Sequence, residues 1–214
     1  MINTVLLDFD GTMMNTRDGI INSWKHLFQV LKWENPSEEI LKNTFGEPLK
    51  VSLAKLFPEH SIDKCLEIYR EYQKDHHGEM MVPFDGVVET VLALKAKGCK
   101  IGLVTSRLDI SAEKGLEEAG MLQCFDSLIT ANKVEKHKPH PEPILKAMSQ
   151  LDSTKEETLM VGDTLFDLEA AKNAGVKSVL VGWSEDVTTL EEAGPYKPDF
   201  VIEKASDLLD IVEV

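Results

Sequence analysis

Apolar and polar positions along the chain follow two alternating rhythms with one long interruption. Short, nearly unbroken apolar runs lie at 4–7, 100–105, 158–163 and 178–182, with shorter ones at 127–130 and 200–202. Such runs suit strands covered on both faces, the habit of parallel sheets. Between them, residues 87–97, 111–119 and 167–174 carry helical spacing and stop at Gly98, Gly120 and Gly175, where glycine is a favoured helix terminator. Strands alternating with helices in this order predict an α/β domain with a Rossmann-like parallel sheet and right-handed crossovers.

Residues 17–80 break the alternation. Stretches 18–31, 37–45, 48–56 and 62–76 read as successive amphipathic helices with no strand among them, punctuated by Pro36, Gly46-Glu47-Pro48 and Pro58. A helical block inserted straight after the first strand reads as a lid. Residues 16–81 are therefore expected to form an α-helical cap domain and residues 1–15 with 82–214 the core, with hinges near 13–16 and 79–85.

Composition narrows the picture. The 214 residues hold 23 Lys+Arg against 37 Asp+Glu, a formal net charge of −14. A chain this acidic has no electrostatic reason to seek nucleic acid or an anionic membrane. Its apolar runs fall far short of the ~20 residues that a bilayer-spanning helix needs. Asp8 and Asp10 also interrupt the N-terminal stretch where a secretory leader would be apolar. Cys65, Cys99 and Cys124 are widely spaced without a CxxC pair, which suits the cytoplasm and argues against a disulfide framework or a thiolate zinc site.

Ligands of open parallel sheets bind at the carboxyl ends of the strands, and those ends carry the chemistry here. The first strand runs into Asp8-Phe9-Asp10-Gly11-Thr12, the second into Thr105-Ser106, and the strand near 160 into Gly162-Asp163 with Asp167 four residues on. Carboxylates gathered on one edge repel one another unless a cation lies between them. Oxygen ligands without thiolates favour Mg²⁺ over zinc. Lys138, a hydroxyl and backbone amides complete a phosphate cradle, and an aspartate beside bound phosphate points to phosphoryl transfer through an aspartyl-phosphate. Plainer roles stand beside these: Asp167 could simply open the following helix, and Thr105 and Ser106 could cap another.

The same residues resemble the motifs of the haloacid dehalogenase (HAD) superfamily. Asp8-Phe9-Asp10-Gly11-Thr12 looks like its DxDGT motif, Thr105 its second motif, Lys138 in Lys-Pro-x-Pro-Glu its third, and Gly162-Asp163-x-x-x-Asp167 its fourth. The resemblance implies a nucleophile at Asp8 and a general acid/base at Asp10. It places Mg²⁺ on Asp8, Asp163 and the Asp10 backbone carbonyl. Thr105, with the Ser106 amide, would hold the transferring phosphoryl group, Lys138 would neutralise it, and Asp167 would orient Lys138 or a metal-bound water. Gly11 and Thr12 would lie against the phosphate, with Gly46 and His77 contacting substrate from the cap.

Asp10 and Asp163 speak against a metal-free dehalogenase. Ile20 stands where β-phosphoglucomutases carry a cap histidine, which speaks against a mutase. A receiver-like signalling domain would be shorter, uncapped and without Asp10. The remaining reading is a phosphohydrolase similar to the family's pyrophosphatases and phosphoglycolate phosphatases. Pyrophosphate ranks first because a small closed cap suits a small leaving group, with loop 45–49 meeting it. Its charge calls for cations beyond Lys138, and the cap and hinge offer Lys50, Arg70, His76 and His77. The expected state is a cytoplasmic monomer or weak homodimer acting on a small phosphorylated substrate.

Overall fold

The computed structural model describes residues 1–34, 36–76 and 80–212. Its main sheet has six strands: β1 (Thr4–Leu7), β4 (Lys100–Val104), β5 (Ser127–Ile129), β6 (Thr158–Gly162), β7 (Lys177–Val181) and β8 (Phe200–Ile202). The order is β5-β4-β1-β6-β7-β8 and every pairing is parallel. β1 thus lies inside the sheet, with Thr4 paired to Lys100 on one side and Thr158 on the other. Successive side chains of a strand face opposite ways. Val5 and Leu7 accordingly join one core layer with Val87, Val91 and Leu94, while Leu6 joins another with Ile144, Ala147 and Ala171.

The first layer packs under α5 (Val87–Ala96), α6 (Asp109–Glu118) and the short α9 (Leu208–Ile211). The second packs under α7 (Glu142–Leu151) and α8 (Leu165–Ala174). Helix α7 is absent from the sequence reading because Pro141 and Pro143 look like breakers. Proline is tolerated in a first helical turn, where its missing N–H has no partner to lose.

The inserted block forms α1 (Arg17–Val30), α2 (Glu38–Lys42), α3 (Leu49–Leu56) and α4 (Ile62–Asp75). It has its own core of Ile21, Trp24, Leu27, Phe28, Leu41, Leu53, Phe57, Leu66 and Tyr69. Helix α2 is shorter than the expected 37–45, because the chain turns through Thr44 to Glu47, where Glu47 N–H donates to Thr44 O. The expected hinges meet: β2 (Met14–Asn15) and β3 (Val82–Pro83) pair as a small antiparallel ribbon. Among the described residues, no helix is long and apolar enough to cross a membrane.

Candidate active site

Three adjacent strands, β4, β1 and β6, end side by side and deliver Thr105, Asp8 and Asp163 to one edge of the sheet. Asp8 N–H donates to Val161 O at 3.0 Å, extending the β1–β6 ladder to the last residue before the site. Carboxylate oxygens of Asp8, Asp163 and Asp167 lie within 4.8 Å of one another, all buried. Lys138 is buried among them. Its Nζ lies 2.6 Å from Asp167 Oδ1, 3.0 Å from Asp8 Oδ1 and 3.2 Å from Val104 O, so its three N–H donors are accounted for.

Asp167 contacts both Lys138 and the start of the following helix. Oδ1 takes Lys138, while Oδ2 accepts from the Thr164 N–H at 3.1 Å and the Thr164 hydroxyl at 2.7 Å, opening helix α8. One ammonium facing three buried carboxylates leaves the cluster short of positive charge. Burial, with the nearby charges of Asp167 and Asp10, pushes the Asp8 carboxyl up to about 7 despite the opposing pull of Lys138. Burial, then the charges of Asp167 and Asp8, holds Asp163 well above the usual carboxylate range. Burial alone would lower the Lys138 pKa, but Asp167 and Asp8 outweigh it and carry it upward. An all-oxygen donor set that lacks two positive charges fits a hard divalent cation such as Mg²⁺. Asp167 already accepts three donors, the Lys138 ammonium among them, whereas Asp8 takes only that ammonium and Asp163 two hydroxyls, so Asp8 and Asp163 keep lone pairs to present to it.

The segment after Asp8 folds around Asp163. Gly11 has φ +73°, and a Cβ there would stand 2.0 Å from Asp163 Oδ2, so the close approach requires glycine. Thr12 is buried and donates its hydroxyl to Asp163 Oδ1 at 2.9 Å, so this hydroxyl holds a carboxylate. From the other side, the loop after β7 sends Ser184 Oγ to Asp163 Oδ2 at 3.2 Å and Trp183 Nε1 to Thr12 O at 3.0 Å. Thr105 accepts the Arg107 N–H at 3.1 Å through its hydroxyl; α6 begins only at Asp109, behind Leu108, so Thr105 and Ser106 do not cap it.

Asp10 leaves the cluster and faces Arg107. Arg107 Nε lies 2.8 and 2.9 Å from the two Asp10 oxygens, and Thr16 Oγ1 donates to Oδ1 at 2.6 Å. The sequence reading missed Arg107 although it stands two residues beyond Thr105, because its partner lies 97 positions away.

Three contacts join the helical block to the core at this edge. Ser106 Oγ donates to Gly46 O at 3.2 Å. Asp186, in the loop after β7, takes Arg17 Nε at 2.8 Å and Lys42 Nζ at 2.6 Å. Gly46 is thus brought to the site. Lys50 and Arg70 are exposed, and His76 stacks on the Tyr72 ring at 4.1 Å with Nδ1 on Tyr72 O. His77 lies outside the described residues.

A parallel sheet whose strand ends gather an aspartate pair, a hydroxyl and a lysine beneath an inserted helical cap defines a capped phosphatase architecture. The model of the haloacid dehalogenase-like hydrolase family matches residues 5–181, and the chain belongs to that family. Among curated relatives, pyrophosphatase PpaX of Halalkalibacterium halodurans is 39% identical over 213 residues, covering 100% of this chain and 98% of that protein. Pyrophosphatase PpaX of Bacillus mycoides is 40% identical over 211 residues, covering 99% and 97%. A solved haloacid dehalogenase-like family hydrolase of Streptococcus pneumoniae superposes with TM-score 0.85 at 22% identity over 98% of both chains, a likeness of fold. The protein is a phosphatase of this hydrolase family.

Proposed function

We propose that the protein is a Mg²⁺-dependent pyrophosphatase working through an aspartyl-phosphate on Asp8. The observation that carries this reading is the buried set of Asp8, Asp163, Asp167 and Lys138 at the sheet edge, with Asp10 close by. Its full-length likeness to pyrophosphatases supports the substrate.

In this mechanism the Asp8 carboxylate attacks phosphorus and the bond to the leaving oxygen breaks as Asp10 gives that oxygen a proton. Asp10 then takes a proton from water, which attacks the acyl-phosphate, frees phosphate and restores Asp8. Thr105 and the Ser106 amide hold the phosphoryl oxygens, and Lys138 balances their charge. Gly11 and Thr12 keep the backbone and Asp163 in place. Mg²⁺, held by Asp8, Asp163 and the Asp10 carbonyl, would supply positive charge toward the phosphoryl oxygens. Residues 16–81 act as the cap over a core of 1–15 and 82–214, excluding water when closed, with Gly46 against the leaving group.

The three cysteines are free and buried, which suits the cytoplasm. Steady-state rates at equal Mg²⁺ test the substrate. A kcat/KM for pyrophosphate about tenfold or more below that for phosphoglycolate would overturn the pyrophosphatase reading and favour a phosphomonoesterase.

A further inference from the structure

We infer that Arg107 is the leaving-group subsite of this enzyme and selects substrates whose leaving group carries its own negative charge. The inference rests on the proposed role of Asp10 as general acid.

A leaving oxygen that takes its proton from Asp10 must come within hydrogen-bond reach of that carboxylate, about 2.7 Å for O–H···O. Arg107 Nε already lies 2.8 and 2.9 Å from the two Asp10 oxygens. Any such leaving oxygen therefore falls within roughly 5.5 Å of the guanidinium. The guanidinium is fixed in place: Nη1 bonds Ser111 Oγ at 2.9 Å, and Cζ stands 5.2 Å over the Phe9 ring. Nη2 has no hydrogen-bond partner among the described residues, so two donors remain for an anion. Its flanks are the site itself, since Thr105 precedes it by two residues and Ser106 touches Gly46. From the cap, the buried Tyr69 hydroxyl, whose pKa is raised mainly by burial, also feels the charges of Arg107 and Asp10. Arg107 thus lies between core and cap.

Among the described residues, the other cations near the site are committed or exposed. Lys138 has its donors on Asp8, Asp167 and Val104. Arg17 and Lys42 meet Asp186, and Lys50 and Arg70 are exposed. The cationic help that a charged leaving group requires thus comes from a core residue beside the general acid. A planar guanidinium suits the oxygens of a phosphate or carboxylate. Phenol or a sugar hydroxyl offers it no charge.

The experiment compares wild type, Arg107→Met and Arg107→Lys on pyrophosphate, phosphoglycolate and phenyl phosphate. Disturbance of Asp10 lowers all three rates together, so the informative quantity is the ratio of kcat/KM for an anionic leaving group to that for phenyl phosphate. Arg107→Met should lower that ratio about 10- to 100-fold, the worth of one charged hydrogen bond, mostly through KM, and Arg107→Lys should restore part of it. An unchanged ratio overturns the inference. If wild type turns over phosphoglycolate and phenyl phosphate but not pyrophosphate, the pyrophosphatase reading fails while the ratio still decides Arg107. Calorimetric binding of pyrophosphate to Asp8→Asn, with and without Arg107→Met, answers the same question without turnover: undiminished affinity rejects the subsite.

Discussion

Replacing Gly46 by alanine tests whether the helical block must seat on the core for turnover. Gly46 has φ +76°, and a Cβ there would lie 2.9 Å from Phe166 Cδ2 and 3.0 Å from Thr164 Oγ1, both in the core. An alanine in the left-handed region costs about 1–2 kcal/mol, and the contacts require loop 45–49 to draw back from Ser106. If the loop takes this shape only when the cap is closed, the cost falls on the closed state. Closure and kcat/KM then drop about 5- to 30-fold for every substrate. Gly86 supplies the control: it has φ +75°, but a Cβ there would meet nothing within 4 Å. Gly86→Ala should lower Tm by about 2–8 °C for the same backbone cost, with kcat/KM unchanged. Gly46→Ala should show the opposite division, a small change in Tm and a large one in rate. Melting curves and initial rates on both variants decide it. A Gly46→Ala enzyme within about twofold of wild type would refute a loop that seats on the core during catalysis.

Asp8→Asn should abolish turnover with an unchanged circular dichroism spectrum, since an amide is a poor nucleophile toward phosphorus; retained activity would remove the aspartyl-phosphate route. Asp8 and Asp163 have raised pKa values in the folded chain. Their stabilisation is therefore complete below about pH 4, the unfolded carboxylate range, and for Asp8 is lost as pH rises through about 7. Metal-free Tm should fall between pH 5 and 8 and Mg²⁺ should restore it most at pH 8; calorimetry in chelator showing a flat profile would contradict this. Asp186→Asn removes the acceptor of Arg17 and Lys42, and these partly exposed pairs are each worth about 1 kcal/mol. KM should rise about two- to tenfold and lose its salt dependence, and an unchanged KM would show that the pairs do not hold the cap.

The sheet is readable in the sequence because buried parallel strands are continuous apolar runs, and all six stand within a residue or two of their expected places. Helix α7 is not, since prolines at its start look like breaks until their position in the first turn is known. The residues that follow β1, β4 and β6 are readable as a group because strand ends in such a sheet converge. Arg107 is not, because its meaning comes from Asp10, a partner that only the folded chain brings near. The loop after β7 is intermediate: the sequence places Trp183 and Ser184 at a strand end, but only their contacts with Thr12 O and Asp163 give them a role. The cap cations are harder to read for a simple reason. A basic residue on an amphipathic helix faces water unless something anionic lies inside, and Lys50 and Arg70 do so.

The place of β1 inside the sheet sets a timetable for biosynthesis. Its partners begin at Lys100 and Thr158, so the first strand made has no complete neighbourhood until most of the chain exists. At about 5–20 residues per second, a ribosome takes roughly 8–30 s to travel from β1 to β6. The apolar stretch from Val5 to Leu7 is unprotected during that interval, the condition that recruits chaperones. The helical block is different, because its core draws only on residues between Ile21 and Tyr69 and local contacts form quickly. The lid can therefore be shaped before there is anything to cover. Asp8 meets Asp163 only after β6 has emerged, so a chain interrupted before that point has no assembled carboxylate cluster.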